Sequence, residues 1–406
     1  MRKFAVESSF TMKILHTSDW HLGHTLYNYD RREEQQQMLR QMVRIVSEQQ
    51  PDVFLLCGDV YHTPQPSAAV QTMLANALLA LHKACPAMTI VMTAGNHDSG
   101  SKHEIFQLPW RELGVYAVGQ VERDHPERHL IEVPGKGYIV AVPYCTSYDL
   151  RPKGEATGCN LFDRLMALAA AQNTDGLPVV LTAHTTVAGC DASGHDNATD
   201  RLVGGIDALP LEQMGTGYDY LALGHIHRAQ FVDGSSHHAR YCGTPLPVSF
   251  DERYSHSVSI VTIEAHGRPP VVQTVAVDNP HPLVTLPTEG FAPWTEALQL
   301  LARFPDDVAA YIRLNVEVEG FLPQEAQAEA ARTAEGKQCR FCCINVNRKA
   351  RRPDEAKALS VQEFRHEAPI DIARRYAADM GLTFDDDMEQ MFGQIVRTVE
   401  EERRDQ

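Results

Sequence analysis

Several apolar runs in this 406-residue chain end in residues that bind cations or carry protons. The polar ends are Asp19-Trp20-His21, Gly58-Asp59 with His62 close behind, Asn96-His97-Asp98, His184, and His225-Ile226-His227. Carboxylate, imidazole and amide oxygen together suit Mn²⁺, Fe²⁺ or Zn²⁺ rather than Ca²⁺. In extended backbone, the alternate spacing of Asp19 and His21, and of His225 and His227, puts each pair on one side. These ligands exceed what one ion needs, and a carboxylate can bridge two. Two ions about 3.5–4 Å apart are the usual device for in-line attack on phosphorus. Each cluster alone says little, since a Gly-Asp pair also makes ordinary turns.

Such residues need a rigid edge to hold them. Val53–Cys57 is an unbroken apolar run, as suits a strand buried on both faces of a mostly parallel sheet. Its end places Asp59 where open α/β sheets build their sites. Lys13–Ser18, Met88–Thr93, Pro178–His184 and Tyr220–Gly224 read likewise as strands, with helices expected over 33–49, 67–84 and 160–173. The alternation predicts an α/β domain with a parallel sheet. Later strands (His129–Val133, Tyr138–Val142, Ala239–Cys242, Ser257–Ile263, Val271–Val275) have a more antiparallel flavour, so two layers of strands between helices fit best. Residues 188–205, rich in Gly and Asp, read as a long functional loop.

Pro280, Pro282, Pro287 and Pro293 mark a change of pattern and a domain boundary. Beyond it, Trp294–Arg303 and Gln324–Ala334 read as helices, Ala310–Val318 and Cys339–Val346 as strands. This small α+β module ends in the basic residues Arg348, Lys349, Arg351 and Arg352. The tail from about 360 is expected to be helical, with Met388, Met391, Phe392, Ile395 and Val399 on one face and Asp385–Asp387 favouring a helix start.

Composition narrows the classes. A formal charge of −16 argues against a blanket electrostatic grip on nucleic acid but leaves DNA open as a substrate, because bound cations reverse the sign locally. Nine scattered cysteines point to a reducing compartment. Cys339, Cys342 and Cys343 lack a second ligand pair for zinc and fit a half-buried strand. No apolar stretch approaches the roughly 18–20 residues that span a bilayer, and the first eleven residues lack a signal peptide's apolar segment, so a cytoplasmic protein without membrane attachment is expected. His16, His24, His195, His237 and His238 are read as structural or solvated, while Tyr27, Arg31 and Arg32 are candidates to guide a substrate strand.

In order, D-x-H, G-D, G-N-H-D, a strand-ending His and G-H-x-H resemble the calcineurin-like metallophosphoesterases. His16–Gly23, Gly243–Asp251 and Leu359–Phe364 narrow the resemblance to the bacterial SbcD family of nuclease subunits. That resemblance implies a four-layer α/β/β/α sandwich, a small α+β capping domain and a helical tail. The corresponding divisions are an extension at 1–11, a nuclease domain at 12–278, a linker at 279–293, a cap at 294–353 and a partner-binding tail at 354–406. It implies two divalent ions, Mn²⁺ by expectation. Asp19, His21, Asp59 and His227 would hold one; Asp59, Asn96, His184 and His225 the other, with Asp59 bridging. His97 would face the scissile phosphate, Asp98 would orient His97, and His62, standing where many superfamily members have Asp, would be a supporting or substrate-facing residue.

The implied activity is DNA phosphodiester hydrolysis. With an SbcC-type ATPase it would be an ATP-dependent 3'-5' double-strand exonuclease and a single-strand or hairpin endonuclease in repair, recombination and replication. The chain carries no G-x-x-x-x-G-K-[ST], which places ATP hydrolysis in that partner. A heterotetramer is implied, with homodimerisation through the nuclease domain near 66–84 and 102–110. The rivals are a stand-alone phosphoesterase acting on nucleotides or other phosphoesters, and a scaffold without catalysis.

Overall fold

The computed structural model describes residues 11–151, 159–193, 208–348, 369–379, 384–385 and 388–396. Lys349, Arg351, Arg352, the Leu359–Phe364 motif, His195, Val399 and most of the 188–205 stretch lie outside the described residues. The chain forms two units. The first runs through Thr285 and adds Pro305–Arg313 and Gly336–Cys343; the second takes Leu286–Phe304, Leu314–Glu335 and the chain from Ile344.

The first unit holds two six-stranded mixed sheets flanked by helices. In one, strands run in the order Val271–Ala276, Ser257–Ile263, Met12–Thr17, Val53–Cys57, Thr89–Thr93, Val115–Val118. The last four are mutually parallel, and Ser257–Ile263 joins them antiparallel. The other sheet is ordered Gln230–Phe231, Ala239–Tyr241, Tyr220–Gly224, Val179–His184, Gly137–Ala141, Leu130–Val133. The antiparallel flavour expected for these later strands holds only at its two edges. Its interior pairs are parallel, because Val179–His184 and Tyr220–Gly224 are apolar on both faces and sit centrally.

Side chains alternate between cores, as strand geometry requires. Leu15, Phe54 and Leu56 pack with Met38, Met42, Leu74 and Leu78 of the helices Arg32–Gln49 and Ala68–Ala84. Ile14, Val53 and Leu55 instead join a core drawn from both sheets, with Ile139, Val180 and Ala222. On the second sheet, Leu181 and Leu221 pack on Phe162 and Leu165 of the helix Leu161–Gln172, which opens with an Asn160–Asp163 capping box. A hairpin at Thr25–Asp30, with Tyr27 and Asn28 at positive φ, and the edge strand Val115–Val118 were not signalled by period.

In the second unit the helices Trp294–Arg303 and Ala326–Ala334 are bridged by the Trp294 indole, which donates to Glu329 at 3.3 Å. The helix over 388–396 starts where Asp385 accepts from the Met388 amide at 2.9 Å, a side-chain cap. Met388, Met391 and Ile395 are exposed on it. The stretch read as a linker carries short strands at Leu283–Leu286 and Ala292–Pro293, and Cys342 and Cys343 lie on the strand Arg340–Arg348. Among the described residues no helix is long and apolar enough to cross a membrane.

The two sheets approach most closely where Gly224 ends its strand. A Cβ there would stand 1.8 Å from the Cys57 carbonyl oxygen and 2.8 Å from the His184 ring. Gly224→Ala is therefore expected to cost about 2–3 kcal/mol in the urea unfolding of the full chain. A change within about 0.5 kcal/mol would show that the sheets can part there without penalty.

Candidate metal centre

Strand register brings the polar residues to one edge. Thr17 pairs with Leu56, Cys57 with Thr93, and Gly224 with His184, so the chains beyond them leave side by side. The loops are then laced together: the Asp19 amide donates to the Gly58 carbonyl, His21 to that of Asp59 and Leu22 to that of Val60, each at 3.0 Å. The side chains do not converge through extended backbone as the alternate spacing suggested. Asp19, His21, Asp59 and His225 all have positive φ (53°, 44°, 49° and 95°), a conformation that costs non-glycine residues energy and clusters at functional sites. Gly58, at φ 84°, allows the closest approach, since a Cβ there would meet His184 Nδ1 at 2.0 Å.

Asp59 sits at the centre. Its Oδ2 lies 3.7 Å from His21 Nε2 and 3.4 Å from His184 Nε2, while Oδ1 accepts from the His97 amide at 2.9 Å. Asp19 accepts from the His225 amide at 3.1 and 3.2 Å and from Ser18 Oγ at 2.5 Å. Asn96 Oδ1 is 3.0 Å from His184 Nε2 and 3.2 Å from His225 Nδ1. Two groups could each hold a cation: Asp19, His21 and His227, and Asp19, Asp59 and His184. Asp19 belongs to both, and Asp59 also reaches histidines of both. All the candidate ligands except half-buried Asn96 are buried.

The residues fit ions chemically. His21 Nε2 and His227 Nε2 stand 3.2 Å apart, the separation of two nitrogens that share one ion at about 2.1 Å each. The far side of each ring is held where the sequence places a partner. His184 Nδ1 donates to the Cys57 carbonyl at 2.9 Å, and His227 Nδ1 lies 2.9 Å from Glu252. Such contacts fix a ring and its tautomer, leaving Nε2 for the ion. Glu252 was not singled out from the sequence, although it directly follows the Gly243–Asp251 motif. Thr244 of that motif also donates to the Asp19 carbonyl at 2.8 Å.

His97 and His62 flank the ligands, with a ring atom of each gathered near His21. The expected contact between Asp98 and the His97 ring is absent. His97 Nδ1 instead donates to the His62 carbonyl at 3.0 Å. The Asp98 carboxylate accepts from the amides of Val60, Tyr61 and Gly95 at 2.9–3.0 Å, so it braces the Asp59 loop rather than the imidazole. Three backbone donors nearer than any ring nitrogen take its lone pairs. Arg31 is likewise not a surface guide, being 2% exposed, whereas Tyr27 at the hairpin tip is 50% exposed. Arg32 is exposed and paired with Asp30. His16 is a core residue bonded to the Tyr220 hydroxyl, and His238 Nδ1 donates to the Asp219 carbonyl.

Charge is unevenly shared. Burial would raise Asp59, but His184, then His21 and His97, hold its carboxyl well below the usual range. Burial would lower His184 and His227; Asp59 and Asp19 around the first, and Glu252 and Asp19 around the second, raise both to about 9. The ion-free centre is thus partly filled by protons. Because both rings are protonated below about 9 and an ion needs them neutral, Mn²⁺ binding at pH 7 is expected to release protons, and affinity to climb as pH rises toward 9. Titration calorimetry in buffers of different ionisation enthalpy measures this; a heat independent of buffer would contradict it.

The comparisons with known proteins agree with this geometry. The calcineurin-like phosphoesterase family model matches residues 12–229. The chain is 33% identical over 314 residues to the SbcD component of the SbcCD nuclease of Rhodobacter capsulatus, covering 72% of this chain and 76% of that one. It is 31% identical over 301 residues to the Escherichia coli K12 protein of the same name (68% and 70%), and 30% over 288 residues to that of Bacillus subtilis (67% and 71%). With the family model, these relatives and the paired cation-binding groups in agreement, the chain belongs to the SbcD family of calcineurin-like metallophosphoesterases and is a metal-dependent hydrolase of phosphoester bonds.

Proposed function

We propose that the chain is the nuclease subunit of a two-component DNA-processing machine, cutting DNA phosphodiesters at a centre of two divalent ions. The observation that carries this reading is the contiguity of the two chelating groups through Asp19 and Asp59, with His97 beside them. Asp19, His21, Asp59 and His227 hold one ion; Asp59, Asn96, His184 and His225 hold the other, both Mn²⁺. Once bound, the ions polarise the phosphoryl oxygens and make water acidic enough to attack.

The chain's own side chains do the remaining work. With Nδ1 given to the His62 carbonyl, the His97 ring has Nε2 left to protonate the leaving oxygen or to bond the charge growing on phosphate. His62 faces the substrate beside it. Asp98 keeps the Asp59 loop in register, and Glu252 and the Cys57 carbonyl hold His227 and His184.

The names of the relatives support DNA as substrate and an SbcC-type ATPase as partner. On this reading the two sheets and their helices form a four-layer nuclease domain at 12–278, residues 294–353 cap it, and the tail from 354 docks on the ATPase. The assembly is a cytoplasmic heterotetramer built on a homodimer of nuclease domains. The ATPase turns hairpin and single-strand cutting into ATP-dependent 3'-5' digestion of duplex ends.

Cleavage of a labelled hairpin DNA with Mn²⁺, with and without the ATPase and ATP, tests this. Hairpin cutting by the chain and duplex digestion only in the complete mixture are expected, with His97→Ala losing roughly 10²–10⁴-fold in rate. Turnover of bis-p-nitrophenyl phosphate with no DNA cleavage in any mixture would replace the proposal with a stand-alone phosphodiesterase.

A further inference from the structure

We infer that His24 and Arg31 are positioning residues for His97, acting on it through His62. The inference rests on the reading of His97 given above and adds to it the groups that aim the ring. Arg31 is buried and donates through Nη1 to the Pro247 carbonyl at 2.5 Å, with the same nitrogen 3.3 Å from His24 Nδ1. A guanidinium only donates, so His24 Nδ1 must accept, and the proton of the neutral ring sits on Nε2. Burial, with Arg31 next in weight, pulls His24 down to about 2 and keeps it neutral.

The oriented His24 ring stands edge-on to the His62 ring, 4.7 Å between centroids at 75°. His62 in turn meets His97 twice. Their rings lie nearly parallel, 5.6 Å apart at 19°, and the His62 carbonyl takes the His97 Nδ1 proton. His62 Nδ1 is buried without a hydrogen-bond partner, so packing against His24, His97 and His21 sets that ring rather than a bond from this nitrogen. Displacing His24 frees His62 to tilt, and His97 loses both its stacking neighbour and its acceptor.

Arg31 is a poor choice for stability alone. Its Nε and Nη2 are buried with no partner, and an apolar residue of similar volume would avoid that penalty. A fixed donor to His24 accounts for a charge there.

The test uses the Mn²⁺-loaded full chain and two phosphodiesters, one releasing p-nitrophenolate and one, a dinucleotide, releasing a sugar alkoxide. Phenolate departs without a proton, whereas the alkoxide needs one. His24→Ala is expected to lose at least about tenfold more rate on the dinucleotide than on the nitrophenyl ester, and His97→Ala to show the same bias more strongly. Arg31→Gln should follow His24→Ala; if it fails to fold, His24→Ala decides. Independently, ¹⁵N imidazole spectra of the ion-free full chain should show His97 as a single Nδ1–H tautomer, and as a mixture in His24→Ala. Equal losses on both substrates with an unchanged His97 tautomer would overturn the inference. Should His97→Ala itself show no bias, the acid role of His97 falls, and the tautomer in His24→Ala still decides whether His24 positions it.

Discussion

Two carboxylates buried within reach of the same histidines are the constraint on which the molecule depends. Asp19 and Asp59 are both shut away from water, and like charges so placed repel strongly unless cations stand between them. In the ion-free chain the neighbouring imidazoles supply that charge, which is why His184 and His227 stay protonated far above their ordinary range. Divalent ions replace those protons. Stability and catalysis meet at the same point: the arrangement that hydrolyses phosphoesters is also the one that makes the buried carboxylates tolerable.

Holding them there shapes the scaffold. Two sheets must meet edge to edge at their carboxyl ends, closely enough for a ring on one to bond a carbonyl on the other, as His184 does with Cys57. Only glycine fits at Gly58 and Gly224. The strained backbone at Asp19, His21, Asp59 and His225 is stabilised by the amide-to-carbonyl lacing of the loops and by the Asp98 carboxylate, whose three amide bonds tie the loop after Asp59 to the turn that carries His97. Asp98 therefore serves the nuclease chemistry at one remove, through main chain instead of through a ring.

Much of this was legible before any coordinates. Buried parallel strands announce themselves as continuous apolar runs, and a polar residue that ends such a run has few places to be except the sheet's edge; Asp19, Asp59, Asn96, His184 and His225 follow from that logic. The parallel interior of the second sheet did not, because Tyr138–Val142 and Ala239–Cys242 are too short for their pattern to reveal direction. Nor did the backbone handedness at Asp19 and His21, since D-x-H spacing is compatible with both extended and left-handed chains. Glu252 and Arg31 escaped for a different reason. Their significance lies in partners more than 20 and 200 residues away in sequence, His227 and Pro247, and single-chain spacing carries no trace of such contacts.

The central claim is that two ions share the buried carboxylates. Electron paramagnetic resonance of the chain titrated with Mn²⁺ tests it most directly. Two ions per chain with an exchange-coupled multiline spectrum, collapsing to isolated six-line signals in Asp59→Asn, is the predicted result. One ion per chain at saturation, or two that remain magnetically isolated in the unaltered protein, would contradict the account.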